Sequence, residues 1–342
     1  MSTITQSSPA NVTTEADQSA PAHAMEAQPD LFAATEPLLT VLSFGGGQDS
    51  TALLELYIND PAFRKRYAPR DFMVVMSDTG DEFPETYAHV EKMRERCASH
   101  GIEFNFLTAD QGWHQGDWTS LLNFFQAKNT IGSKAFPKTC TDRLKLQPIY
   151  RFLENWLSKK YGVQCHHKKG IREFAMMHGK IQVMIGIAKG EERRVADPAK
   201  NPNRWYRDSI HNIYPLIDLG MDRAACQAYI ANQGLPVPIP SNCRSCPWLS
   251  LEELEYLRRF HAEHLDVWVG LEAAKLEKHR DKELVLVPTA TGTKTVNKNY
   301  GVFGTMPLPV KIREAKEKFA DWSDERVREY RMSHGHCVAT AY

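Results

Sequence analysis

Between residues 38 and 107 the hydrophobic period of this chain switches from strand to helix and back, and that alternation restricts the fold more than any other feature. Residues 38–44 form a nearly continuous apolar run, Gly45-Gly46-Gly47 interrupts it, and Thr51, Leu53, Leu54, Tyr57 and Ile58 follow at helical spacing. Residues 72–77 repeat the run and Asp78-Thr79-Gly80 the loop. Pro84 then suits a first helical position, with Val90, Met93 and Cys97 on one face up to Gly101. A third run occupies residues 102–107. Strands that are apolar on both faces belong inside a sheet covered by helices, and parallel neighbours require the crossovers that those helices provide. The expected fold is α/β, a doubly wound parallel sheet.

The rest of the 342 residues is arranged around this core. Residues 1–36 are mainly Ser, Thr, Ala, Pro, Gln and acidic residues, with too few large apolar side chains to offset the entropy of ordering, so a disordered tail is expected. The spacing predicts a helix over 141–160, an exposed polar insertion over 159–180 and a buried strand over 181–187. A charged loop, an apolar stretch at 214–217 and a helix over 222–232 come next. Residues 251–280 have helical periodicity, 284–303 the pattern of a hairpin turning at Gly292, and a charged helix runs to Met332. The expected organisation is an α/β domain over 37–250 and a mostly helical extension over 251–342.

Composition narrows the function classes. The 42 basic residues balance 42 acidic ones, so global charge draws the chain neither to nucleic acid nor to a membrane surface. The longest apolar runs, 72–76 and 181–187, fall far short of the ~20 residues of a membrane helix. Seven cysteines follow no signal-peptide-like start. That odd, sparse count favours a reducing cytoplasm, with thiol, metal or cluster roles rather than disulfides.

Chemistry concentrates first at Ser43-Phe44-Gly45-Gly46-Gly47-Gln48-Asp49-Ser50-Thr51, where a strand hands over to a helix. Glycines let the backbone approach a phosphate without Cβ clashes, and the open N–H groups of a helix start attract anions. The spacing fits neither the Walker loop nor Gly-x-Gly-x-x-Gly, which argues against ordinary NTPases and dinucleotide enzymes. A strand-to-helix turn with no ligand is the alternative. Asp49 and Ser50 are candidate catalytic residues. Asp49→Ala and Gly46→Val are both expected to abolish nucleotide binding with the fold intact, the second by placing a branched side chain where phosphate sits.

The segment from Gly45 to Ser50 resembles the pyrophosphate loop, Ser-Gly-Gly-Lys-Asp-Ser, of the PP-loop ATP pyrophosphatases, with Gly45 in place of the Ser and Gln48 in place of the Lys. Asp78-Thr79-Gly80 with Glu82, Pro84, Glu85, Thr86 and Tyr87 is similar to a segment of the phosphoadenosine phosphosulfate (PAPS) reductases and their relatives. The likeness continues in Cys140-Thr141 with Leu144, Lys145, Pro148 and Ile149, in Gly186-Ile187 with Glu191 and Arg194, in Pro215-Leu216-Ile217, and in Ser241-Asn242-Cys243-Arg244-Ser245-Cys246-Pro247-Trp248. Ala188 and Gly190 depart from the Arg and Asp of that pattern. The matching segments run in order over residues 38 to about 275.

This resemblance implies an adenine-nucleotide alpha-hydrolase-like (HUP, PP-loop) core that takes ATP with Mg²⁺. It implies a nucleotide site of Ser43, Gly45, Gly46, Gly47, Gln48, Ser50, Thr51, Asp78, Thr79, Gly80, Gly186, Glu191 and Arg194. Asp78 would meet a ribose hydroxyl or adenine amine, or else merely cap its own loop. Lys145 and Arg194 would supply the positive charge that Gln48 does not, whereas Arg193 reads as a surface charge. Gln48→Lys is then expected to tighten ATP binding.

Of the cysteines, Cys97 and Cys226 lie on apolar helical faces and read as core, and Cys165 beside His166 and His167 reads as exposed. Cys243-x-x-Cys246-Pro can hold the edge of a metal or cluster and needs further ligands, for which Cys140 and Cys337 are the candidates. A 4Fe-4S cluster is expected, with Zn²⁺ or a redox dithiol as alternatives. Cys140 and Lys145 are also candidate catalytic residues.

Functionally the resemblance implies an ATP pyrophosphatase of the thiolation type, an adenylyl-transferring enzyme that prepares an acceptor for displacement by sulfur. The DNA-phosphorothioation and tRNA-thiolation enzymes are the nearest functional models. The implied partners are an adenine nucleotide, a nucleic-acid or nucleotide acceptor, and a sulfur donor such as a cysteine desulfurase, with no membrane. Sulfonucleotide reduction by a cysteine thiolate is an alternative, weakened because the Glu-Cys-Gly-Leu-His segment of those reductases is absent and His334-Gly335-His336-Cys337 echoes it only loosely. A nucleotide or cluster sensor without turnover is the other.

Overall fold

The computed structural model describes residues 36–282, 284–297 and 299–334. Five strands, β1 (Leu39–Ser43), β2 (Asp71–Ser77), β3 (Glu103–Leu107), β4 (Ile181–Ile185) and β5 (Ile210–Ile213), lie parallel in the order β3-β2-β1-β4-β5. At the centre, Val41 pairs with Met73 on one side and Val183 on the other. Alternate residues of each strand enter different cores. Leu42, Val74 and Met184 pack among Leu53 and Leu54, Val90 and Met93, and Ile230, while Val41, Met73 and Val183 pack among Leu153, Leu157, Ile171 and Phe174. Burial on both faces explains why the central runs hold almost no polar residue. The chain leaves β1 toward β2 on one side and β4 sits on the other, so the carboxyl ends of β1 and β4 flank the point where strand order reverses. In sheets of this kind that point opens a crevice.

The crossover helices begin where local chemistry favours it. Gly47 stands at the N-cap of Gln48–Asn59, Pro84 occupies the first turn of Pro84–Ser99, and Asp222 caps Arg223–Asn232 by accepting from Ala225 N at 2.8 Å. Other elements depart from expectation. The helix expected over 141–160 starts as a π-helical turn, Thr141–Leu146, before Gln147–Tyr161. The polar insertion expected over 159–180 carries the helix Lys169–His178, anchored by buried Ile171 and Phe174. The charged loop expected before residue 214 contains β5, and the apolar stretch 214–217 is mostly the helical turn Pro215–Asp218. Residues 251–280 are two helices, Leu251–Phe260 and Ala262–Lys278, separated at His261.

The hairpin pairs Leu284–Thr289 with Gly292–Asn297, and the helices Leu308–Lys318 and Asp324–Ser333 complete the described chain. These C-terminal elements bury Leu254, Leu257, Trp268, Leu308 and Val327 in one cluster with Phe83, Leu121, Phe125 and Leu144. The extension thus shares its core with segments that follow β2 and β3. The tail expected over 1–36 falls, Glu36 apart, outside the described residues. Among the described residues no helix is long and apolar enough to cross a membrane.

Candidate functional site

A cleft opens at the strand-order reversal, lined by Ser43, Gly45, Gly47, Asp49 and Ser50 from the glycine loop, Gly186 after β4, and Lys145, Arg194 and Arg223. The loop is built from its own hydroxyls. Gly45 N donates to Ser50 Oγ at 3.2 Å, and Thr51 Oγ1 donates to Gly47 O at 2.8 Å while meeting His89 Nε2 at 2.8 Å. Gly47 offers no side chain to cap the helix, so the first N–H groups receive no side-chain cap from that position. Gly186 is a packing requirement: a Cβ there would stand 2.9 Å from Ser50 N. Gly46 has φ +72°, and a Cβ on it would meet Thr86 Cγ2 at 2.8 Å and Val90 Cγ2 at 3.2 Å. Gly46→Val therefore strains the fold itself, contrary to the expectation of a purely local block, because this glycine faces a helix rather than the cleft.

Asp49 is the one carboxylate of the helix start, and its Oδ1 is covered and accepts no hydrogen bond. Burial pushes its carboxyl up to about 6, against the pull of Arg223 and Arg194 and with a further push from Glu191. Glu191 holds the two arginines, pairing with Arg223 at 2.8 Å and with Arg194 in a close ion pair. A cleft with an uncapped helix N-terminus, Lys145 and two fixed guanidinium groups suits a polyphosphate. A carboxylate beside it with no hydrogen-bond partner on Oδ1 fits Mg²⁺, which takes one or two protein carboxylates and leaves most of its positions to water and phosphate oxygens.

The other expected nucleotide residues divide. Thr51 is fully buried within the loop and Gln48 is 3% exposed. Gln48 lines the cleft, but its amide is already engaged: Nε2 donates to Pro238 O and Met332 O, both at 2.9 Å, and Oε1 accepts from Gln227 at 3.1 Å. A lysine there would bury an ammonium against the Gln227 amide, which would lose the Gln48 oxygen and keep only its bond to Met332 O at 2.9 Å. Gln48→Lys should lower stability by about 1–3 kcal/mol without tightening ATP binding, as thermal melting and calorimetry would show. Tighter ATP binding in that variant would mean the side chain swings into the cleft.

Asp78 uses Oδ1 to close its own turn, accepting from Gly80 N at 2.8 Å and from Tyr87 OH at 2.7 Å, and it is not a cleft-lining residue. Gly80 has φ +66° and a Cβ on it would collide with Ser120, and Thr79 lines a neighbouring chamber. Arg193 is exposed, as its surface reading requires. Arg223 was not singled out in sequence, and Ser241, quoted there only as the start of the segment that ends at Trp248, fills the space a Cβ on Gly45 or Gly47 would need. Nothing in a helix-opening Arg or a loop Ser marks either as facing a cleft.

Lys145 owes its position to the π turn. Ser77 Oγ, at the end of β2, donates to Leu144 O at 2.6 Å, and Lys145 Nζ then lies 3.4 Å from Glu82 Oε1. The Cys243–Cys246 turn is pinned to the same loop: Arg244 N donates to Asp81 O and Ser245 N to Asp81 Oδ2, each at 2.8 Å. Cys140, Cys243 and Cys246 consequently line one chamber. They do not form a ligand set as placed. Among the described residues no three of His, Cys, Asp and Glu gather where they could hold a metal ion, and Cys243 Sγ lies 3.4 Å from Thr79 Oγ1 and 3.7 Å from Glu82 Oε1. Burial also pushes the Cys243 thiol well up. Cys337 lies outside the described residues. As placed, the three described cysteines therefore do not by themselves make the expected cluster or zinc site.

Comparison with known proteins gives three results. A search of solved structures finds the NH3-dependent NAD synthetase from Campylobacter jejuni subsp. jejuni NCTC 11168, in complex with the nitrate ion, at 14% identity and a TM-score of 0.26, covering 75% of this chain and 90% of that one. A search of curated proteins returns no match. The family model described as the phosphoadenosine phosphosulfate reductase domain matches residues 39–238, ending short of the Ser241–Trp248 segment whose likeness the sequence suggested. Those residues are more than half of the chain and hold the whole parallel sheet, the glycine loop and both cleft arginines, so the chain belongs to the phosphoadenosine phosphosulfate reductase domain family.

Proposed function

We propose that this protein is an ATP-binding PP-loop enzyme that releases pyrophosphate to adenylylate an acceptor. The observation that carries this reading is the convergence of an uncapped helix start, Lys145, Arg194 and Arg223 around a carboxylate with no hydrogen-bond partner on Oδ1. The glycine loop and helix N–H groups hold the phosphates, the arginines and Lys145 balance charge that builds up on the leaving pyrophosphate, and Asp49 fits one coordination position of Mg²⁺. Bound Mg²⁺ would neutralise phosphate charge. An acceptor oxygen attacks the α-phosphorus, the bond from that phosphorus to the bridging oxygen breaks, and pyrophosphate leaves with the electron pair. The adenylylated oxygen is then open to displacement, with AMP leaving, by a sulfur nucleophile from a sulfur donor. We assign residues 37–250 to the nucleotide-binding domain and 251–342 to an extension that braces it. We place the protein in a reducing cytoplasm, the compartment that a sparse, odd cysteine count favours.

Incubation with α-labelled ATP tests the chemistry: AMP-containing product and pyrophosphate are expected. Reduction of a sulfonucleotide to sulfite would instead mark a reductase, and nucleotide binding without turnover a sensor. The raised Asp49 carboxyl adds a pH signature. Affinity for Mg²⁺-ATP should fall as pH drops through about 6, because Asp49 takes up a proton and loses its charge. Because the terminal phosphate of ATP titrates in the same range, calorimetric titration on both sides of that value should show a larger fall in the parent than in Asp49→Asn; an identical profile in both would remove Asp49 from the site.

A further inference from the structure

Beside the nucleotide cleft lies a second chamber that the reading above leaves unused, with Lys145 in the walls of both. Its size limits what it can take. The chamber holds about 180 Å³, and an engineered apolar cavity of about 150 Å³ accepts one benzene ring. Its surface favours flat rings, for Trp118, Phe124, Phe125 and Trp248 all line it, and aromatic faces attract other π systems beyond simple burial. Its walls suit no ion. Lys138 and Lys145 line it, and Lys145 already faces Glu82 at 3.4 Å, so the mostly apolar surface would strip a cation or an anion of its water without a full counter-charge in return. The polar end is the end nearest the nucleotide: Thr79 donates to Glu82 at 3.0 Å, and Glu82 meets Lys145 at 3.4 Å.

We propose that this chamber is the acceptor pocket, and that the acceptor carries an uncharged, planar, single six-membered ring whose oxygen-bearing edge faces Lys145. The assignment rests on the adenylylating reading. It also gives the three lining cysteines a different role from the cluster, as soft apolar wall.

The test is ligand-observed NMR on the full chain with ATP and Mg²⁺, using three matched probes. Benzamide should bind. Cyclohexanecarboxamide, of similar size but without a π face, should bind about tenfold more weakly, and benzylamine should not bind. Trp248→Ala or Trp118→Ala should weaken benzamide about tenfold while ATP affinity stays at the parent value, which shows the variants are folded. Equal binding of the saturated or cationic probe, parent-like benzamide affinity in both variants, or competition between benzamide and ATP overturns the proposal. So does brown anaerobic protein that loses its colour in Cys243→Ser, since a cluster would then occupy the chamber. A parent that binds ATP but not benzamide refutes this inference alone, and one that binds benzamide but not ATP refutes the nucleotide reading and the acceptor role with it.

Discussion

Replacing Asp49 with Ala is expected to cut ATP-dependent pyrophosphate release by about a hundredfold or more, while the protein melts no lower than the parent. The two halves of that result come from one feature. Asp49 is a recessed carboxylate whose Oδ1 has no hydrogen-bond partner, so it contributes little to the fold and its charge is costly until a cation arrives. With Mg²⁺-ATP bound, the same charge has a partner, and its loss removes a group that acts at the phosphates. A colorimetric pyrophosphate assay and a melting curve on one preparation decide the matter. Activity within about threefold of the parent would show that the carboxylate takes no part in nucleotide handling. A steep fall in melting temperature would mean that Asp49 is structural.

The second large effect lies far along the sequence from the loop. Arg331, 1% exposed on the last described helix, donates to Pro240 O at 2.7 Å and to Asn242 Oδ1, and lies 3.7 Å from Glu253 Oε1. Its guanidinium also stands 5.1 Å from the Phe83 ring. Burial pushes the Glu253 carboxyl up and Arg331 pulls it back down, so deleting the arginine strands a buried acid. Arg331→Met should cost about 3–5 kcal/mol in chemical denaturation, and Arg331→Met combined with Glu253→Gln should recover a large part of it. ATP affinity should fall in the single variant as well, because Arg331 steadies Pro240 next to Ser241, which presses on the glycine loop. A loss below about 1 kcal/mol, or no recovery in the double variant, would refute the account.

Both predictions show where reading the sequence works. The Gly45–Ser50 segment is legible because strand, glycine turn and helix are local patterns, each set by residues within a few positions of one another. Gln48 is the contrasting case. Its neighbours in sequence suggest a weakened phosphate site, yet its partners are Pro238, Met332 and Gln227, which no local pattern connects to it. Gly46 was read as phosphate-facing for the same reason, although its open side is filled by Thr86 and Val90. β5 went unseen because four residues, two of them buried beside an edge, give too short an alternation to detect.

The sequence by itself determined the parallel α/β core, its first three β-strands and β4, the helix starts at Gln48 and Pro84, and the family to which residues 39–238 belong. Periodicity and turn chemistry are written into adjacent residues, so these features need no knowledge of what packs against them. Only the tertiary structure decided which residues share a space. It brought Arg223 to the cleft, tied Gln48 to the last helix, gave Asp78 to its own turn, and set Cys140, Cys243 and Cys246 around one chamber. Where a side chain points depends on residues up to 284 positions away. That information lies in how the chain packs, not in any window of it.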